Sequence, residues 1–250
     1  MTWGRVLAIT TLFVATGCSS GSHPTSTAGG GCALPTYGTG AHYHPRIDAS
    51  NFGPDVTNPW YPLRPGTTYR YRGVDGGTPA IDVLTVTHTT HTVDGVSARV
   101  VFDRLYESGR VVESTHDYYA QDGCGNVWYF GEDTAEFDKH GKVSSTEGSW
   151  HAGVDGAQPG VFMPAHPQLG AHFRQEWYAG HAEDTFAVAD LSTPAPVPAG
   201  GFPNALRTQE TSALEAGVID AKWYAKGVGD VKELTVKGPH ERFVLVRVTR

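Results

Sequence analysis

Apolar and polar residues alternate along most of this chain from Thr67 onward. Thr67 to Gly73 puts Tyr69 and Tyr71 on one face and Arg70 and Arg72 on the other, the period of two that marks a half-buried strand. Ala80 to Thr90, Val96 to Tyr106 and Arg110 to Ala120 continue the pattern, separated by the turn signals Asp94-Gly95 and Ser108-Gly109. The stretch Glu113 to Asp133 predicts a hairpin about Asp122-Gly-Cys-Gly-Asn126. Tyr118 and Tyr119 stand on one arm, Trp128, Tyr129 and Phe130 on the other. Shorter strands are expected at 135–138 and 142–147, then a Gly- and Pro-rich loop from Gly148 to Gly170. Strands are expected again at 172–178, 183–191, 204–211, 218–225, 228–236 and 241–248. No segment sustains a helical period over about twelve residues. The pattern predicts an all-β domain, an antiparallel meander of about a dozen short strands forming a barrel, half barrel or sandwich.

Before the strands the grammar changes. Asn58-Pro-Trp-Tyr-Pro-Leu-Arg-Pro-Gly66 is too proline-rich for a helix or central strand, so it is expected to cover one end of the sheet with Trp60 and Tyr61 tucked in. At the start, Arg5 precedes an apolar run from Val6 to Ala15, too short to cross a bilayer but long enough for a signal-peptide core. Ala15-Thr16-Gly17-Cys18 resembles the lipobox of bacterial lipoprotein signal peptides. That resemblance implies cleavage after Gly17, a diacylglyceryl group on Cys18, and anchoring at a cell membrane or outer membrane on its extracytoplasmic face. The expected organisation is a signal peptide at 1–17, a lipidated flexible tether at 18–47, rich in Ser, Gly, Thr and Pro, and one β domain at 48–250.

Cysteine and charge refine this picture. Besides Cys18 the mature chain holds Cys32 and Cys124, and outside the cytoplasm an unpaired thiol is a liability. A Cys32–Cys124 disulfide is therefore expected, the alternative being a surface cysteine without a partner. The whole chain has a formal charge of −7, and loss of Arg5 with the signal peptide makes it more acidic. An acidic domain is repelled by phosphate backbones, so nucleic acid is not an expected partner; membrane contact falls to the acyl chains. The six Trp, eleven Tyr and ten Phe supply rings that could fill a curved sheet or line an apolar cavity.

Longer motifs, NPWYPLRPGTTYRYRG (58–73), DYYAQDGCGNVWYFGED (117–133), EGSWHAGVDGAQPGVFMPAHPQLG (147–170), RQEWYAGHAED (174–184) and KWYAKGVGDVKE (222–233), are similar to those of an uncharacterised family of exported bacterial lipoproteins. The resemblance implies an exported, β-rich protein and no particular activity. The YAKGVGDVKE segment also resembles strands of LolA-like and LolB-like lipid-holding half barrels, with Asp230 standing where that pattern carries an apolar residue.

The densest polar chemistry lies at His166, His172, Arg174, Glu176, His181, Glu183 and Asp184. In a regular strand His172, Arg174 and Glu176 share one face, an arrangement met more often in a sheet-surface ion pair than in a catalytic acid. Neither these histidines nor His42, His44, His88 and His91 match an established metal-ligand spacing, and no metal or cofactor is expected. Glu132 and Asp133 could face Glu176 as a carboxylate pair. No Gly-x-Ser-x-Gly elbow is present. The expected function is a membrane-anchored binding module, non-enzymatic, for an apolar or amphiphilic ligand or an envelope protein. The alternative is an extracytoplasmic hydrolase, with or without the assistance of a metal, using the carboxylates and histidines of 166–184.

Overall fold

A computed structural model describes residues 33–250. The described residues form two 3-10 turns (Gly40–His42 and Ala49–Asn51) and sixteen strands. The first eight are β1 (Phe52–Gly53), β2 (Thr68–Asp75), β3 (Thr78–Val93), β4 (Val96–Glu107), β5 (Arg110–Asp122), β6 (Val127–Phe137), β7 (Val143–Ser145) and β8 (Trp150–His151). The rest are β9 (Gln158–Met163), β10 (His172–Arg174), β11 (Glu176–Trp177), β12 (Asp184–Val197), β13 (Gly200–Ser212), β14 (Ile219–Ala225), β15 (Gly229–Lys237) and β16 (Arg242–Thr249). All pairings are antiparallel, in the order β10-β12-β13-β14-β15-β16-β2-β3-β4-β5-β6-β9-β11, a single sheet nearly closed into a barrel. The meander is thus circular: the last long strand pairs with the first, through Leu245 opposite Tyr71.

Where the two ends of the sheet meet, one short segment serves both. Residues 172–174 pair with β12, and after Gln175 residues 176–177 pair with β9. Phe173 lies opposite Phe186, while Glu176 lies opposite Pro159. Gln175, 1% exposed, donates its amide to Asp184 O at 2.9 Å. The strand expected at 172–178 is therefore two strands, broken because each half answers a different edge. Strands β8 and β9 lie inside the stretch expected to be loop. The glycines and prolines that suggest a loop are tolerated because the seam is crowded: a Cβ on Gly160 would stand 2.2 Å from Gln175 backbone atoms.

The expected hairpin is present, and its rings are buried on both faces of the sheet. Tyr119 pairs with Tyr129 in register and stacks on it at 4.8 Å between ring centroids. Both faces are covered. Outside, Phe52 packs edge-on against Trp128 and Phe130. Inside, Tyr61 from the proline-rich segment meets Tyr119, Phe162 and Tyr224. As expected, that segment closes one end of the barrel: Tyr61 is 3% exposed, and Pro59 O accepts the Gly227 amide at 2.7 Å.

The expected start of the domain at 48 falls within packed chain. Arg174 donates to Tyr37 O (3.1 Å) and Gly38 O (3.4 Å), with its guanidinium 4.9 Å from the Trp177 ring. The Tyr43 hydroxyl donates to Pro159 O. These contacts lay residues 37–43 across the seam as a strap, because Arg174, buried at the sheet junction, finds its acceptors there. Cys18 and Cys32 lie outside the described residues, whereas Cys124 is held in a disulfide.

Two substitutions check this account. Tyr61→Ala should lower unfolding free energy by about 3 to 5 kcal/mol, since it leaves an aromatic-sized hole among three rings. Gly40→Ala should destabilise the strap by roughly 1 to 3 kcal/mol, because its Cβ would sit 1.9 Å from the Trp177 ring. Denaturant melts monitored by circular dichroism read both. An unchanged midpoint in either variant would show that the corresponding closure does not hold the barrel.

Candidate functional site

Inside the barrel the inward positions carry acids as well as rings. On β3 the inward positions include Ala80, Asp82, Leu84 and Val86; on β4 they include Val101, Asp103 and Leu105; on β5 they include Thr115, Asp117 and Tyr119. Across the lumen the same is true of Thr208 and Glu210, Lys222 and Tyr224, and Val231 and Glu233. Such a residue type was legible in principle: an acid sharing parity with buried neighbours along a strand must point inward. Sequence reasoning passed over these positions because isolated acids in alternating strands usually face water.

The acids form a chain around the lumen. The Tyr129 hydroxyl lies 2.7 Å from Asp117 Oδ1 and 3.0 Å from Glu132 Oε2. Burial drives Glu132 well above the ordinary carboxylate range, with the Asp117 charge adding to it and the Tyr129 hydroxyl opposing it. Glu176 is raised in the same way by burial, then by Asp184 and Glu132 beside it, and its Oε2 has no hydrogen-bond partner among the described residues. Burial pushes Asp184 up to about 7, the Ser212 hydroxyl opposing this and Glu210 adding to it. On the far side Lys222 Nζ lies 3.0 Å from Glu210 Oε2 and 3.7 Å from Glu233 Oε1. Burial works against the lysine's charge, but those two carboxylates hold it firmly protonated. Lys222 lies against Glu210 and Glu233, and burial holds other acids of the lumen, Glu132 and Glu176 among them, toward their neutral forms in the folded protein.

The residues singled out between 166 and 184 are dispersed. His166, His172 and His181 are exposed. His181 stacks on Tyr178 and approaches Glu147 at 3.0 Å; Glu183 accepts the Gly180 amide in a turn. Arg174 and Glu176, expected on one face, have different surroundings because the chain kinks at Gln175. Arg174 lies under the strap, while Glu176 projects among Trp150, Glu132 and Asp184. Of the set, the structure brings together Glu176 and Asp184. Glu132 joins them, whereas Asp133 sits elsewhere, 2.5 Å from the Tyr118 hydroxyl and 3.0 Å from His151 Nε2. Glu132 and Glu176 are 4% and 3% exposed, which leaves no room beside them for a sugar and its attacking water. Among the described residues no three His, Cys, Asp or Glu side chains are placed to share a metal ion.

Concave surface accessible to a ligand lies outside the barrel, beside the hairpin tip. Asp122 builds that tip. Its Oδ1 accepts the Cys124 and Asn126 amides at 3.0 and 2.9 Å, and its Oδ2 accepts Asn126 Nδ2 and Trp128 Nε1 at 2.8 and 3.0 Å. With both oxygens occupied, this loop is a turn held by its own aspartate. Asn58 ties the turn to the plug: its Nδ2 donates to Gly125 O (2.8 Å) and its Oδ1 accepts the Trp60 amide (2.8 Å). On one side of the tip is a cleft of about 610 Å³ whose walls include Pro59, Trp60, His166, Pro167, Leu191 and Lys226. On the other side His42, His44, Arg46, Asp48, Phe52 and Trp128 contribute to one of about 670 Å³.

Raised acids give a signed pH prediction. Glu113, Asp184 and Glu233 are each pushed up to about 7, mainly by burial. They stay protonated in the fold at pH values where the unfolded chain has already ionised. The stability they contribute is complete below about pH 4 and is lost as pH rises through 7. The melting temperature should therefore fall by roughly 5 °C or more between pH 5 and pH 8. Glu176→Gln, which removes an ionisation the interior resists, should reduce that fall. A melting temperature that climbs over the same interval contradicts the assignment.

No protein-family model matches the chain, and no curated protein matches it. Among solved structures it is similar to a protein inferred to be exported, with a YmcC-like fold, from Bacteroides fragilis, at a TM-score of 0.45 and 14% identity over 76% of this chain and 99% of that one. It is also similar to an inferred lipoprotein from Parabacteroides distasonis, at a TM-score of 0.41 and 12% identity over 76% and 98% of the two chains. Neither match supports the resemblance to LolA or LolB half barrels.

Proposed function

We propose that this chain is a lipid-anchored, extracytoplasmic binding module whose ligand, an amphiphile, occupies the 610 Å³ cleft beside the Asp122–Asn126 hairpin tip. The observation that carries this reading is the content of the barrel. Tyr61 plugs one end against three rings, and the rest of the lumen is filled by packed apolar side chains interspersed with buried acids, so an apolar body finds neither room nor a favourable lining there. The cleft outside has the size of a small-molecule site and mixes apolar walls with a few polar groups. Anchoring rests on the Ala15-Thr16-Gly17-Cys18 motif. Cys124 lines the same cleft, and we assign its disulfide partner as Cys32, which brings the tether to the cleft's rim.

Two measurements test the reading. Cys18→Ser should move the protein from the membrane to the soluble extracytoplasmic fraction; unchanged sedimentation would remove the anchor. Native mass spectrometry of protein taken from its own envelope should show a co-purifying small molecule that Leu191→Asp, a change at a 42% exposed wall residue, strips away. Protein that carries no such molecule, or one that survives Leu191→Asp, would overturn the site; a cross-linked protein partner seated there instead would replace the amphiphile.

A further inference from the structure

Taking that cleft as the binding site, we infer that its ligand carries an anionic head, a carboxylate or phosphate, held by Lys226 and His166. The charge of the lining residues points to this. The chain carries a net formal charge of −7, yet the residues around the cleft include one lysine and one histidine and not a single aspartate or glutamate. A cleft lined by a lysine and no acid, on an acidic protein, focuses attraction for an anion at one place.

The remaining polar groups around the cleft are already engaged. Gln121 Oε1 accepts the Thr57 and Asn58 amides at 2.8 and 2.7 Å, and its Nε2 donates to Thr57 Oγ1 at 3.0 Å. The Asn58 side chain is spent on Gly125 O and the Trp60 amide. Lys226 is different. Its ammonium rests 4.7 Å over the Trp60 ring and pairs with no carboxylate among the described residues. The indole face holds the ammonium at the cleft wall, where an entering anion can reach it. The turn that carries it is itself fastened, because the Gly227 amide donates to Pro59 O. Leu191, Pro167 and Ala165 add apolar surface to the same cleft for the ligand's body.

The test uses the full acylated chain in phosphatidylcholine nanodiscs, titrated with hexyl phosphate, with the neutral hexyl glucoside and with inorganic phosphate. Binding is followed by calorimetry and by the fluorescence of the cleft's Trp60. Hexyl phosphate should bind at least tenfold more tightly than hexyl glucoside, and inorganic phosphate should bind more weakly than either. Lys226→Glu should cost hexyl phosphate tenfold or more and leave hexyl glucoside unchanged, with a thermal melt confirming the fold. Equal affinity for the charged and neutral probes, both abolished by Leu191→Asp, would overturn the anionic head while sparing the cleft. Absence of binding by all three probes would overturn both. Repeating the titration in phosphatidylglycerol discs separates the sources of the head group. Competition there assigns it to bilayer lipid, and undiminished binding assigns it to a free amphiphile; in either case Lys226→Glu must abolish the effect for the inference to stand.

Discussion

A β-sheet that curls without closing leaves two rows of backbone donors and acceptors exposed, and this barrel answers both rows with six residues. His172 to Arg174 satisfy one edge and Glu176 to Trp177 the other, with Gln175 as the joint. Everything near the seam follows from that economy. The chain cannot keep regular alternation through the joint, so Arg174 lies under the strap while Gln175 and Glu176 are buried beside it. Arg174 then needs acceptors, and the carbonyls of Tyr37 and Gly38 provide them. The strap is thus a consequence of how the sheet closes.

The lumen divides into two chemistries for a related reason. Toward the plug, aromatic rings from the proline-rich segment, β5, β6, β9 and β14 interlock around Tyr61. Beyond them the inward positions mix apolar residues with acids, Asp117 and Glu132 sharing the Tyr129 hydroxyl and Glu210 lying against Lys222. Burying so many carboxylates costs stability at neutral pH, and mutual hydrogen bonding with proton retention is how the fold tolerates it. An interior of this kind is poorly suited to lipid. The resemblance to lipid-holding half barrels already strained at Asp230, which is buried with its Oδ1 accepting the Lys232 amide.

The hairpin tip links interior to exterior. Asp122 shapes the turn, Asn58 fastens the plug to it, and Asn126 Oδ1 accepts the Ala165 amide, so three distant segments meet within a few residues. The two external clefts lie on either side of this junction, and their walls are rigid because those segments are mutually hydrogen-bonded. A binding surface set on such a junction is positioned by the barrel without using its lumen.

Much of this was legible from local pattern. Alternation at Tyr69 and Tyr71, the Asp-Gly and Ser-Gly turns, and the ring-rich hairpin specify strands, inward faces and the all-β class, because each depends on neighbours one or two residues away. The proline-rich cover with Trp60 and Tyr61 inward was legible for the same reason: proline excludes the alternatives. Which strands meet at the seam was not. Residues 158–163 look like loop until the backbone of Gln175, some fifteen residues later, approaches Gly160 closely enough to demand a glycine. Nor could sequence say that Glu132, Glu176 and Asp184 converge while His166, His172 and His181 scatter, since parity orders side chains along a strand but closure decides which strands face each other. Local periodicity determined the elements and their buried faces; only the three-dimensional closing of the sheet decided which buried charges became neighbours and where concave surface was left for a ligand.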